Sequence, residues 1–166
     1  YETRFFTSGK KIIKNPTKFE LFGEEVLFGS LLFKNEKYNV CFGVEICGDM
    51  WGQINPHELL YQKGADIIFN ISASTYHFGK KELKKSLIQN ASSKFEGAYL
   101  YVSNGPSDST SDITYTGDQI GVICGEVILD QSTLSLETVV NMVDIDMEMI
   151  RFMRYSDGNI NHIYHS

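Results

Sequence analysis

Apolar and polar positions alternate along this chain in two patterns, which together predict one α/β domain. Runs rich in Val, Ile, Leu and aromatic residues are typical of strands, and polar turns separate them. The run 65–71 is predominantly apolar, which is typical of a strand buried on both faces. The predicted strands are residues 25–33, 38–46, 65–71, 98–103, a hairpin of 113–124 and 127–131, and 139–145.

Helices are predicted between and after these strands. Pro56 suits a first helical position because its φ is fixed and it has no N–H to satisfy, so a helix is expected over 56–63. In 79–95 the apolar residues recur every fourth position and predict an amphipathic helix, with Lys81, Lys84 and Lys85 off its apolar stripe. The stripe consists of Leu83, Leu87, Ala91 and Phe95. Residues 146–155 are expected to form a short helix.

Composition narrows the class of protein. The 166 residues suffice for one domain with a sizeable core, and the net charge of −6 disfavours nucleic-acid binding, which needs a basic surface. No apolar run is long enough to span a bilayer. Three cysteines without a C-x-x-C spacing argue against a disulfide framework and a zinc site, so we expect a cytoplasmic protein. The chain begins at Tyr1 rather than Met, and we expect it to be part of a longer protein.

Cys47 is the strongest candidate for chemistry. It follows the strand 38–46 directly and precedes Gly48 and Asp49, so its thiol is expected on a sharp turn at the end of a strand. A nucleophile for acyl transfer needs this position, where N–H groups of the following turn can stabilise an oxyanion. The alternative is a small packed hydrophobe, and Cys41 and Cys124 fit that description because they lie within apolar strands.

A second candidate segment follows the strand 65–71. Small hydroxyl residues lead from this strand to Gly79 and Lys80 at a helix start, and ligands of open α/β folds lie at the carboxyl ends of strands. Ser74 and Lys80 can hold a carboxylate or another polar group there; the alternative is a turn residue and a solvated lysine. His77 lies in the same loop, but nothing in the sequence places it near Cys47. Glu2 by itself is an ordinary surface acid.

Several segments together resemble the carbon–nitrogen hydrolase (nitrilase) superfamily. They are the Glu-Ile-Cys-Gly-Asp-Met-Trp stretch 45–51, the Gly-Ala-Asp-Ile-Ile-Phe-Asn-Ile-Ser-Ala-Ser stretch 64–74, and Gly79-Lys80 before a helix. Residues 109–117 and 1–6 narrow the resemblance to the glutaminase domains of glutamine-dependent NAD synthetases. The resemblance runs from residue 1 to about residue 154. It implies that residues 1–166 form the C-terminal portion of a glutamine amidohydrolase domain, part of a four-layer α-β-β-α sandwich.

The resemblance also implies roles for individual residues. Cys47 matches the nucleophile that attacks the glutamine side-chain amide, forms a γ-glutamyl thioester and releases ammonia to amidate deamido-NAD. Ser74 and Lys80 match positions that bind glutamine, and Glu2 matches a supporting glutamate near the site. The site itself is expected to need no metal or cofactor. Gly48 stands where the family usually has glutamate, but its backbone N–H remains available to an oxyanion.

Other expectations concern groups beyond these residues. The resemblance places a glutamate base and a lysine upstream of Tyr1, and it places ATP and Mg in a synthetase domain that this sequence does not include. A homo-oligomer is implied, and neither nucleic acid nor membrane is expected as a partner. Two alternatives stay open: another nitrilase-type amidase that acts on a small amide, and a non-catalytic module that assembles with a partner.

We expect the 166 residues alone to hydrolyse no glutamine at a useful rate. The reason is that the resemblance assigns the base and the lysine to residues upstream of this sequence. Ammonia release by the purified chain, measured against a Cys47→Ala control, checks this expectation. Steady release that depends on Cys47 would contradict it.

Overall fold

A six-stranded mixed sheet with strand order β3-β4-β5-β6-β7-β8 organises the fold. The computed structural model describes residues 16–157. The strands of this sheet are β3 (Leu32–Asn35), β4 (Val40–Ile46), β5 (Ile67–Ser72), β6 (Ala98–Ser103), β7 (Asp118–Ile123) and β8 (Glu126–Ser132). A separate antiparallel hairpin consists of β1 (Thr17–Leu21) and β2 (Glu24–Phe28). The helices are α1 (Pro56–Gln62), α2 (Lys80–Lys94) and α3 (Met147–Ser156).

The three central strands run parallel, and this arrangement places their carboxyl ends at one edge. β4 pairs with β5 and β5 pairs with β6 in parallel register, while β3, β7 and β8 are antiparallel to their neighbours. The crossovers contain α1 and α2, which both pack on the same face of the sheet. Loops that leave β4, β5 and β6 therefore meet at a common edge, as the sequence predicts for a ligand site.

The main core lies between this face and the two crossover helices. Ile68 of β5 and Tyr99 of β6 face Leu60 of α1 and Ile88 of α2, and all four side chains are fully buried. Gly43 of β4 allows α1 to lie close, because a Cβ there would be 2.8 Å from Cδ1 of Leu60. The glycine therefore brings the start of α1 near the end of β4, where Cys47 follows.

The opposite face of the sheet is only partly covered. Ile150 of α3 packs with Ile67, Ala98 and Ile123, near the amino ends of β5 and β6. Towards the carboxyl ends the same face is apolar and open, with Ile46 58% exposed. The other open residues there are Val44, Ile71 and Val102. Residues 16–157 therefore supply one sheet and one helix layer of the predicted sandwich.

Most predicted elements are confirmed, but two strand predictions are wrong. The segment 25–33 is not one strand, because the chain turns at Gly29 with φ +149° and its two halves pair with different partners. The segment 139–145 forms no strand. Asn141 there donates through its side chain to Gln119 at 2.7 Å and Gln131 at 2.9 Å, so side-chain bonds replace a backbone ladder. The hairpin strand predicted from 113 starts only at Asp118.

The helix predicted over 79–95 is confirmed as α2, but its buried face differs from the predicted stripe. Leu83 is 55% exposed, whereas Lys84, which the pattern placed off the stripe, is only 2% exposed. Its Nζ donates to Oδ2 of Asp118 at 2.7 Å and lies 4.4 Å from the ring centroid of Tyr101. A buried lysine is tolerated because it has this partner, and the spacing of apolar residues contains no information about it.

The Asp118 carboxylate has further partners on its other oxygen. Thr116 and Ser132 each donate a hydroxyl to Oδ1 at 2.8 Å. Burial alone would raise the pKa of Asp118, but the bonds from Lys84, Ser132 and Thr116 hold it below its usual value. The ion pair therefore joins α2 to the start of β7, on the helix-covered face of the sheet.

No helix among residues 16–157 combines the length and the apolarity needed to cross a bilayer.

Replacing Lys84 with Met is expected to destabilise the chain by about 3–5 kcal/mol, because the Asp118 carboxylate stays buried without its cation. Lys81→Met is the matched control, since Lys81 pairs with Asp130 near the surface of the same helix. Lys81→Met should lower the free energy of unfolding by about 1 kcal/mol or less. Urea unfolding of both variants measures the difference. Equal losses in the two variants would show that the buried pair has no special importance.

Candidate active site

Cys47 lies where β4 ends, in a turn of unusual backbone conformation. Residues Cys47–Trp51 form a 3₁₀ helix, hereafter the Cys47 turn, and Cys47 itself has φ +44°. A non-glycine residue in this region costs on the order of 1–3 kcal/mol and is held there only by its surroundings. Asp49 contributes, because its Oδ2 accepts the N–H of Ile46 at 2.9 Å. A half-buried thiol thus stands at the start of a strained turn.

The Cys47 turn lies beside the segment that follows β5. Ile46 pairs with Ile71 in the parallel register, so β4 and β5 end side by side, and the turn packs against β5. The chain continues from β5 through Ser72 to Ser74, at the same edge. Ser74 is buried and its N–H donates to Oγ of Ser103 at 3.1 Å, which ties this loop to the end of β6.

Lys80 lies next to the Cys47 turn. Its Nζ is 5.8 Å from the ring centroid of Trp51, the last residue of the turn, and donates to the carbonyl oxygen of Thr75 at 3.1 Å. The ammonium is half-buried at the first position of α2. The structure therefore brings Cys47 and Lys80 to one edge of the sheet, with Ser74 in the loop between β5 and α2.

A fully buried carboxylate, Glu45, lies two residues before Cys47. Its Oε2 accepts the backbone N–H of His57 at 3.1 Å and contacts Nδ1 of the same residue at 3.0 Å. Its Oε1 accepts Nδ2 of Asn70 at 3.1 Å and the hydroxyl of Tyr99. We call Glu45, His57, Asn70 and Tyr99 the Glu45 network. It joins β4, β5, β6 and the start of α1 directly beneath the candidate site.

Electrostatics in this network favour the ionised carboxylate. Burial alone would raise the pKa of Glu45, but the hydrogen bond and charge of His57, with the bonds from Tyr99 and Asn70, lower it below its ordinary value. Burial and the adjacent Glu45 charge raise the pKa of Tyr99, so its hydroxyl keeps its proton. The network therefore consists of a carboxylate surrounded by donors.

The remaining candidates lie elsewhere. Cys41 lies within β4. Burial and the neighbouring Glu96 carboxylate raise the pKa of Cys124 to about 12, so the Cys124 thiol is a poor nucleophile. His77 is exposed, with Nε2 3.1 Å from Oγ1 of Thr75. Glu2 lies outside the described residues. Within residues 16–157, no three His, Cys, Asp or Glu side chains are grouped as metal ligands.

The sequence patterns missed the Glu45 network. Asn70 interrupts an apolar run, and Glu45 lies opposite it in the parallel register. Two polar residues inside buried strands are the signal that could have revealed the network, because buried polar groups need partners. His57 gave only a weaker signal, since at a helix start it fits a surface position equally well.

Similar proteins were found by sequence and by structure. A glutamine-dependent NAD(+) synthetase of Drosophila melanogaster is 32% identical over 119 residues, which is 71% of this chain and 15% of that protein. The crystal structure of such an enzyme from Cytophaga hutchinsonii superposes with a TM-score of 0.68 at 28% identity, over 82% of this chain and 21% of that one. Saccharomyces cerevisiae Nit3, a nitrilase-superfamily member, superposes with a TM-score of 0.61 at 19% identity, over 78% of this chain and 45% of that one. The chain has the nitrilase fold.

These matches cover only part of the relatives. The chain spans about a fifth or less of the length of the curated NAD(+) synthetases it matches. No model of a protein family matches the sequence. The chain is therefore homologous to one region of glutamine-dependent NAD(+) synthetases, and the resemblance identified from the sequence motifs is confirmed.

Proposed function

We propose that this chain is part of a glutamine amidohydrolase that supplies ammonia for NAD synthesis, with Cys47 as its nucleophile. The observation that carries the proposal is the strained Cys47 turn at the carboxyl end of β4. Homology to glutamine-dependent NAD(+) synthetases supports the substrate. Strain of this kind is concentrated at functional sites, where the surrounding structure maintains it.

The proposed reaction proceeds in two steps. The Cys47 thiolate attacks the side-chain amide carbon of glutamine, and the tetrahedral intermediate expels ammonia after its nitrogen gains a proton, leaving a γ-glutamyl thioester. Water then adds to the thioester carbon, and glutamate leaves as the thiol is restored. N–H groups at the start of the Cys47 turn have no acceptor within the turn and can stabilise the oxyanion in both steps. The proton-transferring residues are expected upstream of residue 1, as the resemblance implies.

Ser74 and Lys80 are proposed to recognise the amino-acid part of glutamine. Lys80 can pair with the α-carboxylate, and its position beside Trp51 keeps this charge near Cys47. The Ser74 hydroxyl can bond to a polar group of the same end of the substrate. Recognition of a carboxylate beside the Cys47 turn favours glutamine over amides that lack one. Glu2 is proposed as a supporting residue.

ATP and Mg are assigned to a separate synthetase domain. The chain has no Gly-rich phosphate loop, and residues 16–157 hold no cluster of acidic side chains suited to a cation. The described residues of this chain therefore do not fit a binding site for ATP or for Mg. In the proposed assembly this chain delivers ammonia, and the synthetase domain, in a cytoplasmic homo-oligomer, uses it to amidate deamido-NAD.

Two alternatives are distinguished by experiment. Another nitrilase-type amidase would use Cys47 in the same way on a small amide, and the likeness to Nit3 concerns the fold only. A non-catalytic assembly module would use the open apolar strip around Ile46 and Ile71 for association. The first alternative predicts that Lys80 has no part in selectivity, and the second predicts that Cys47 has no special reactivity.

A glutamine-like diazo-ketone is expected to alkylate Cys47 in the natural protein that contains this sequence, because the reagent places an electrophilic carbon where the amide would lie. Peptide mass mapping locates the label, and excess glutamine should slow its incorporation. Cys41 and Cys124 serve as internal controls in the same digest. Label on either of these, or equal label on all three, would exclude Cys47 as the nucleophile.

Lys80→Ala in the same natural protein is expected to raise the KM for glutamine about ten- to a hundredfold, since a charge-assisted bond contributes about 1.5–3 kcal/mol. Lys81→Ala is the matched control, because Lys81 is the next residue and pairs with Asp130. Steady-state ammonia release measures both variants. An unchanged KM in Lys80→Ala would remove the carboxylate role and favour the small-amide alternative.

A further inference from the structure

We propose that Glu45 is a positioning residue for Cys47. By binding the start of α1 to three neighbouring strands, its carboxylate closes the loop 46–55 and holds the Cys47 turn in its left-handed conformation. The kinetic part of this inference rests on the proposed function. The structural part concerns only the geometry and reactivity of the Cys47 thiol, and it is tested separately.

Glu45 and its partner His57 lie on either side of the loop that carries Cys47. Glu45 directly precedes the loop 46–55, and His57 follows it as the second residue of α1. Oε2 of Glu45 accepts a hydrogen bond from the backbone N–H of His57 at 3.1 Å and contacts Nδ1 of the same residue at 3.0 Å. One carboxylate oxygen therefore fixes both ends of the loop that carries Cys47. Because N–H groups in the first turn of a helix lack intrahelical acceptors, this bond also caps α1.

The other carboxylate oxygen of Glu45, Oε1, fixes this side chain to β5 and β6. Oε1 accepts hydrogen bonds from Nδ2 of Asn70 on β5, at 3.1 Å, and from the hydroxyl of Tyr99 on β6. Oδ1 of Asn70 accepts the Ser72 hydroxyl at 2.7 Å, so the Asn70 amide can turn over only if this hydroxyl changes from donor to acceptor. Ser72 leads into the loop that carries Ser74. The Glu45 network therefore sets the nucleophile turn relative to the proposed substrate loop.

An amide at position 45 cannot keep all the hydrogen bonds of the Glu45 network in their observed arrangement. All partners of Glu45 are donors in this arrangement, including Nδ1 of His57, which faces an ionised oxygen, and the His57 backbone N–H is a donor under all conditions. A glutamine that keeps its oxygen on the His57 side points its NH₂ at Nδ2 of Asn70, so two donors face each other. The reverse orientation points the NH₂ at the backbone N–H of His57. With Asn70 in its observed orientation, one buried donor therefore loses its acceptor in either case.

Asp49 and Met50 hold the turn at its other side. Asp49 accepts the Ile46 N–H, and the Met50 side chain is buried against the core. These contacts fix the turn itself, whereas Glu45 fixes the base from which the turn leaves the sheet. Loss of the Glu45 carboxylate is therefore expected to relax Cys47 from its strained φ without unfolding the domain.

The test measures the pH profile of Cys47 alkylation by iodoacetamide in the folded chain, with peptide mass mapping to separate the three cysteines. In Glu45→Gln we expect the pH of half-maximal alkylation to move upward by about one unit, because the thiolate loses its alignment with the N–H groups of the turn. Removal of a nearby negative charge alone would move it downward. Mere exposure of the thiol would change the maximal rate and leave the midpoint in place.

Two further variants keep the test decisive. Tyr99→Phe removes one donor but keeps the carboxylate, and it should shift the midpoint upward by a smaller amount even if Glu45→Gln fails to fold. Asp66→Asn is the matched control: Asp66 accepts the Cys41 N–H at 2.8 Å and pairs with Arg154, at the amino ends of the strands. It should leave the Cys47 midpoint unchanged. A fixed or lowered midpoint in both Glu45→Gln and Tyr99→Phe would overturn the proposal.

The kinetic part uses the natural protein that contains this sequence. Glu45→Gln is expected to lower kcat for glutamine hydrolysis at least tenfold and to change KM less than about twofold, because the thiol is misplaced while Ser74 and Lys80 remain. Asp66→Asn should alter neither constant more than twofold. Loss confined to KM would contradict a positioning role. If the unaltered protein hydrolyses no glutamine, the proposed function fails, and the alkylation profiles still decide the role of Glu45.

Discussion

The geometry of the candidate site depends on one buried charge. The Glu45 carboxylate is buried between the sheet and the start of α1, with hydrogen bonds from β5, β6 and α1. Its removal from water is tolerated only because both of its oxygens have hydrogen-bond donors. A hydrophobic residue there could fill the space but could not bind the His57 N–H. The same interaction that satisfies the charge thus fixes where the loop 46–55 leaves and rejoins the core.

The candidate site follows from this constraint. A turn with φ +44° at Cys47 is unfavourable in isolation and persists when both of its flanks are held. Parallel pairing of β4 and β5 brings the Ser74 loop to the same edge, and Trp51 of the turn contacts Lys80. Ordinary sheet geometry and one network of buried hydrogen bonds therefore arrange the strained turn, the Cys47 thiol, the Ser74 loop and Lys80.

Local patterns predicted the order of strands and helices well, because periodicity and turn residues are local properties. They placed Cys47 at a strand end and Lys80 at a helix start, both as found. They failed at 139–145, where side-chain bonds from Asn141 replace a ladder, and at Lys84, whose burial depends on the distant Asp118. Glu45 was missed for the same reason, since its partners lie 12 to 54 residues away.

The most direct measurement of the central claim is the covalent state of Cys47 during turnover. The natural protein that contains this sequence would be mixed with glutamine, quenched in acid within the steady state and digested for peptide mass mapping. We expect one glutamyl group on the Cys47 peptide, and its loss after mild alkaline treatment that cleaves thioesters. Glutamine turnover with no glutamyl group on Cys47, or with the group on Cys41 or Cys124, would contradict it.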